Sequence, residues 1–99
     1  MAAEIVTVIV RMEFAPEDRE EIAAAVTALA AASRQEPGTV NFLPCTVVGE
    51  PDQVVIWEQY RDRAAFEAHR ATPHFKQYAA GVLYQKMRRR SVENLNAVA

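Results

Sequence analysis

From Ile5 to Phe14 the chain is β-branched and apolar, interrupted only by a few polar positions such as Thr7, Arg11 and Glu13, a pattern that predicts a strand. Pro16 then stands where a first helical turn accepts it, and Glu17, Asp18, Glu20 and Glu21 crowd the end that the helix dipole makes positive. Ile22, Val26, Leu29 and Ser33 recur at helical spacing with small alanines between them, giving one buried stripe. Arg34 suits the last turn, and Pro37-Gly38 ends the helix. Thr39 to Val48 predicts a second strand, which Pro44 confines to a sheet edge or a bulge. Gly49-Glu50-Pro51-Asp52 reads as a turn and Gln53 to Tyr60 as a third strand, antiparallel to the second. Asp62 caps a short helix from Arg63 to about Ala71. Thr72-Pro73 starts another, with Phe75, Tyr78, Ala79, Val82 and Leu83 on one face. Arg88, Arg89 and Arg90 fall near its end as a solvated cationic helix terminus, and Ser91 to Val98 completes the chain as a last strand.

The order is β-α-β-β-α-β, the split βαβ arrangement of ferredoxin-like α+β domains. It predicts a four-stranded antiparallel sheet with helices on one face, formed by residues 1–99 as a single domain. The strands are apolar in both parities, however. Val6, Val8, Val10 and Met12 oppose Ile5 and Ile9; Val54 and Ile56 oppose Val55 and Trp57; Val40 and Phe42 oppose Leu43 and Val47. A sheet covered on one side alternates apolar with polar residues. The second face therefore calls for cover, and a second copy of the same face is the expected source, giving a homodimer.

Composition adds bounds. The chain has 99 residues, of which 51% are hydrophobic and 24% charged, a globular balance for one small core. A net charge of −2 gives no pull toward nucleic acid or an acidic membrane surface. Cys45 is the only cysteine, so no internal disulfide forms, and without a basic neighbour it reads as an inert thiol. No basic region precedes the first apolar run and no stretch reaches membrane-spanning length, so a cytoplasmic location is expected.

There is no phosphate loop, paired-cysteine metal site or nucleophile elbow. The groups able to do chemistry concentrate between Trp57 and Tyr78. His69 shares a helix face with Phe66, turned to the sheet. His74 sits in a first turn, where the dipole disfavours a protonated ring, and a neutral imidazole beside an apolar cavity is a competent general base. The alternative makes His69 a hydrogen-bonded helix-terminal residue and His74 a surface cap. Glu58, in phase with Val54 and Ile56, must find a partner or shift its pKa upward. It either orients a histidine or substrate, or pairs with Arg11 or Arg61. Tyr60, Phe66, Phe75, Tyr78 and Trp57 offer walls for a flat aromatic ligand, with core or dimer packing as the alternative and the better fit for Trp57. Asn41 either joins them or faces solvent. Histidines five positions apart across a proline junction are no recognised metal-ligand spacing, so no metal is expected.

Three runs carry a family resemblance: Glu36-Pro37-Gly38-Thr39-Val40-Asn41-Phe42, Val55-Ile56-Trp57-Glu58-Gln59-Tyr60-Arg61-Asp62, and Ala64-Ala65-Phe66-Glu67-Ala68-His69-Arg70-Ala71-Thr72-Pro73-His74-Phe75. Together they resemble the antibiotic biosynthesis monooxygenase domain, particularly its small quinol monooxygenase-like members. The resemblance implies a dimeric α+β barrel and oxygenation of quinol or polyphenol substrates by dioxygen with no cofactor. It implies catalytic roles for His69, His74 and Glu58, with Tyr60, Phe66 and Phe75 as walls around a small aromatic substrate. Haem-degrading relatives carry a histidine four residues after the position of Phe75; here Ala79 stands there, which argues against that branch. Two other functions remain open on this fold: an isomerase or tautomerase of a small signalling metabolite, and a non-catalytic, stress-related ligand-binding dimer.

Overall fold

The computed structural model describes residues 4–98. The first three residues and the last lie outside it, and with them the ends of the predicted 1–99 domain and the start of the N-terminal segment.

Four strands, β1 (Val6–Glu13), β2 (Thr39–Val47), β3 (Glu50–Tyr60) and β4 (Arg89–Leu95), form one antiparallel sheet in the order β2-β3-β1-β4. After a single 3₁₀ turn, Pro16–Asp18, helix α1 (Arg19–Ser33) packs on one face, beside α2 (Arg63–Arg70). A π-helical segment, Phe75–Leu83, follows and tightens into one α turn, α3 (Tyr84–Lys86). This is the predicted ferredoxin-like topology. No described helix is long and apolar enough to cross a membrane.

Parity decides which side chains meet the helices. Val8, Val10 and Met12 of β1 lie opposite Glu58, Ile56 and Val54 of β3, all on the covered face. Phe42 of β2 joins them, and Ile22, Ala25, Val26, Leu29 and Ala30 of α1 close the core from above. Each large apolar side chain buried in this way contributes roughly 1.5–3 kcal/mol. The other face is mixed. Leu43, Trp57 and Ile9 form an apolar row across three strands, with Leu43 49% exposed. The adjoining row is polar: Asn41 Nδ2 donates to Gln59 Oε1 (2.6 Å), and Gln59 Nε2 donates to Thr7 Oγ1 (3.1 Å).

Pro44 does sit on an edge strand, as its missing N–H requires. Beyond small shifts at strand ends, with β4 stopping at Leu95 rather than Val98, three features differ from expectation. The β2–β3 turn is Val48-Gly49, with Gly49 at φ 82°, so Pro51 and Asp52 belong to β3. An irregularity between Thr46 and Val47 absorbs them, because Thr46 pairs with Val54 and Val47 with Glu50. The segment from Phe75 is π rather than α over nine residues. The three arginines do not end a helix: Arg88 N donates to Glu13 O (2.8 Å), which opens the ladder with β1 and draws Arg89 and Arg90 into β4. Pairing with an open strand edge outweighs what local helical continuation offered.

Candidate active site

Along β3 the covered face changes character. Val54 and Ile56 sit in the apolar core, while Glu58 and Tyr60, two and four residues further, lie with α2 over them. Tyr60 is fully buried and its hydroxyl donates to Glu58 Oε1 (2.5 Å). Burial pushes the Glu58 carboxyl up to about 7, against the lowering effects of the Tyr60 hydroxyl and the Arg90 charge. It is paired with neither Arg11, which donates to Gln53 Oε1, nor Arg61, whose near partner is Asp62 at 3.8 Å. Burial first, then the Glu58 charge, raises the Tyr60 phenol well above its usual range, so Tyr60 stays a donor.

Helix α2 starts on Asp62, whose carboxylate accepts from Ala65 N at 2.8 Å. Its inner face carries Ala65 and His69 to the sheet. His69 is 2% exposed, with its ring against Tyr60 (5.0 Å) and edge-on to Phe75 (5.3 Å). The chain then turns: Thr72 Oγ1 donates to His69 O (2.7 Å) and accepts from Phe75 N (3.2 Å), which fixes His74 beside His69.

Both histidines converge on Glu36, in the connection between α1 and β2. Oε2 of Glu36 lies 2.9 Å from His69 Nδ1 and 2.7 Å from His74 Nε2. This approach depends on Gly38, where a Cβ would stand 2.3 Å from Ala65 Cβ; only a residue without a side chain lets the connection lie against α2. A carboxylate only accepts, so each of these ring nitrogens carries the proton. His69 Nε2 is left with its lone pair, 3.9 Å from Glu58 Oε1. Burial lowers the His69 pKa, opposed by its hydrogen bond to Glu36, and the ring is therefore poised neutral.

Beside His69 Nε2 opens a cavity of ≈ 370 Å³. Val8, Val10, Val92, Phe66, Phe75 and Tyr84 supply its apolar and aromatic walls; Glu58, His69, Asn94, Arg63, Arg70 and Arg90 supply its polar groups. A second cleft of ≈ 400 Å³ between α1 and β2 is mostly apolar, and its two charges, Arg19 and Asp52, are spent on each other at 2.8 Å. Of these two clefts, the first combines a base, a buried carboxyl of raised pKa and aromatic walls.

The structure thus brings together five predicted residues: His69, Glu58, Phe66 and Phe75 on the cavity wall, and Tyr60 behind Glu58. His74 lies one layer back, touching His69 through Glu36 rather than the cavity. Three are placed elsewhere. Asn41 and Trp57 face the opposite side of the sheet, because their parity on β2 and β3 is opposite to that of Phe42 and Glu58. Tyr78 packs half-buried against the core. Sequence reasoning did not select Glu36, Tyr84 or Arg90. For Glu36 the available signal was its place before Pro37-Gly38. For Tyr84 the signal was hidden by the helix type. Nine residues on an α-helix are about two and a half turns, which puts Phe75 and Tyr84 on opposite sides. The wider π turn brings their rings edge-on at 6.0 Å.

Glu36, His69 and His74 also form a set able to hold a cation, with one ligand atom from each within 4.8 Å of the others. Their present hydrogen bonds already satisfy that geometry with two protons in place of a metal.

Comparison with known proteins agrees with this architecture. A family model described as antibiotic biosynthesis monooxygenase matches residues 5–81. "Putative monooxygenase YcnE" of Bacillus subtilis is 35% identical over 65 residues, 66% of this chain and 68% of its own length. "Putative monooxygenase Rv0793" of Mycobacterium tuberculosis is 31% identical over 77 residues, covering 78% of this chain and 75% of its own. The solved Rv0793 structure superposes with a TM-score of 0.87 over 96% of both chains. PA3566 of Pseudomonas aeruginosa, 26% identical, superposes at 0.90 over 100% of this chain and 99% of its own.

Proposed function

Because the chain belongs to the antibiotic biosynthesis monooxygenase family, we propose that it is a cofactor-independent monooxygenase that oxidises a quinol or polyphenol with dioxygen. The observation that carries this reading is the tether of His69 Nδ1 to Glu36, which leaves the basic Nε2 beside a cavity lined by Phe66, Phe75 and Tyr84. His69 takes the proton of a ring hydroxyl, and Glu36 stabilises the imidazolium that results. The electron-rich anion reduces dioxygen directly. One oxygen atom enters the ring and the other leaves as water, with all four electrons drawn from the substrate. Glu58, about half protonated near neutral pH, gives a proton to the departing oxygen, and the Tyr60 hydroxyl holds it in place. His74 is a positioning residue that shares Glu36 with His69.

Trp57, Leu43 and Ile9, on the far side of the sheet, belong in this reading to a homodimer interface, with Asn41 in the polar row beside them.

Oxygen uptake with a panel of hydroquinones and naphthohydroquinones tests the proposal. His69→Ala should lower kcat about 10²–10⁴-fold, the range for loss of a general base. Equal rates in the wild type and this variant would remove the proposed role. Turnover that persists without oxygen would move the reading to an isomerase using the same base. Sedimentation at micromolar concentration should give a dimer, and Leu43→Asp a monomer; a monomeric wild type would overturn the interface.

A further inference from the structure

Three guanidinium groups border the cavity: Arg63 and Arg70 from the two ends of α2, and Arg90 from β4 across the opening. Glu67 stands four residues after Arg63 and three before Arg70, the spacings at which helical ion pairs form. Neither pair is made, and among the described residues none of the three arginines has an ion-pair partner. They stack instead on the aromatic walls. Arg63 Cζ lies 5.5 Å and Arg70 Cζ 5.9 Å from the Phe66 ring centre, and Arg90 Cζ lies 5.1 Å from that of Tyr84.

Stacking occupies the flat face of a guanidinium and leaves its N–H edge free, the edge that binds planar oxyanions through two parallel bonds. The charge is also uncompensated inside the site. Glu58 is the only carboxylate on the wall, and its burial favours the protonated form. Both sides of the cavity feel these cations: Arg90 acts on Glu58, and Arg70 on His69.

We propose that Arg63, Arg70 and Arg90 form an anion subsite at the mouth of the cavity, so that the substrate is a hydroxylated aromatic carrying a carboxylate, sulfonate or phosphate group. The ring lies between Phe66 and Tyr84 with its hydroxyl on His69, and the anionic group remains among the arginines. This rests on the oxygenase reading and narrows it to one substrate class.

Calorimetry with a matched pair of ligands, 6-hydroxy-2-naphthoate and 2-naphthol, tests it. The carboxylate should bind at least tenfold more tightly, and the advantage should shrink as salt is raised. Arg90→Gln, and separately Arg63→Gln with Arg70→Gln, should each cut the preference of naphthoate over 2-naphthol severalfold. Arg88→Gln, outside the cavity, should leave the preference intact. Equal affinity for the two ligands overturns the subsite, as does failure of the naphthoate to bind at millimolar concentration, or an equal loss in the Arg88 variant. The two readings fail separately. Without the subsite, uncharged quinols still drive oxygen uptake; without the oxygenase activity, the charge preference in binding persists.

Discussion

Val54 and Ile56 differ from Glu58 and Tyr60 only in their distance along β3, for all four point to the same face of the same sheet. The first pair lies in the apolar core that α1 closes, and the second pair meets His69 on α2. One half of the covered face is a packed core; the other is a core with a hole and a proton network in it. The difference teaches where stability and chemistry are kept. Under α1 every buried group is apolar or small, whereas between the sheet and α2 lie a carboxyl and a phenol bonded to each other and an imidazole bonded to Glu36.

The largest effect should come from the packed half. Leu29→Ala removes a nearly fully buried side chain and should cost about 2–5 kcal/mol in denaturant unfolding. The pH profile of the remaining activity should not move; a moved profile would mean the halves are not separate.

The second effect runs the other way. Between 4.5 and about 7 the unfolded chain has released the Glu58 proton that the folded chain still holds, so stability falls as pH rises through that window. Glu58→Gln carries no charge to bury. It should abolish that fall and leave the variant roughly 3 kcal/mol better placed at pH 8, since each tenfold change in proton affinity is worth about 1.4 kcal/mol. Oxygen uptake should drop in the same variant, and wild-type activity should decline above about pH 7 as Glu58 loses its proton. Parallel pH–stability curves for the two proteins would sink the assignment.

The smallest test sharpens the boundary itself. Gly38→Ala places a methyl group against Ala65 Cβ and should cost about 1–3 kcal/mol by overpacking. Because Glu36 moves with that connection, kcat should fall by more than the lost stability accounts for. A change in stability alone would show that the Glu36–His69 contact tolerates the shift.

Much of this was legible in the chain itself. The alternation of β1 and β3 and the stripe Ile22, Val26, Leu29 and Ser33 specify the covered face and the helix that closes it. Pro44 placed β2 at an edge. The window from Trp57 to Tyr78 held most of the polar site, since β3 and α2 are adjacent in sequence as well as in space. What escaped was set by distance or by backbone type. Glu36 reaches His69 from thirty-three residues upstream, through a loop with no periodicity of its own. Arg90 was hidden because a run of arginines after a helix suits its dipole, and only pairing with β1 shows otherwise. Asn41 and Trp57 were candidates only as a polar and an aromatic side chain, although strand parity already pointed them to the other face.

The π segment has one more consequence. Phe75 and Tyr84 face each other because the backbone between them winds with wide turns. Removing a single residue from that stretch would let it relax to an ordinary α-helix and swing Tyr84 out of register and away from Arg90 on β4, with no cavity residue altered. The wall of this cavity is therefore exposed to insertion and deletion as much as to substitution. The shape of this cavity is thus set by the length of one helix as well as by the residues that line it.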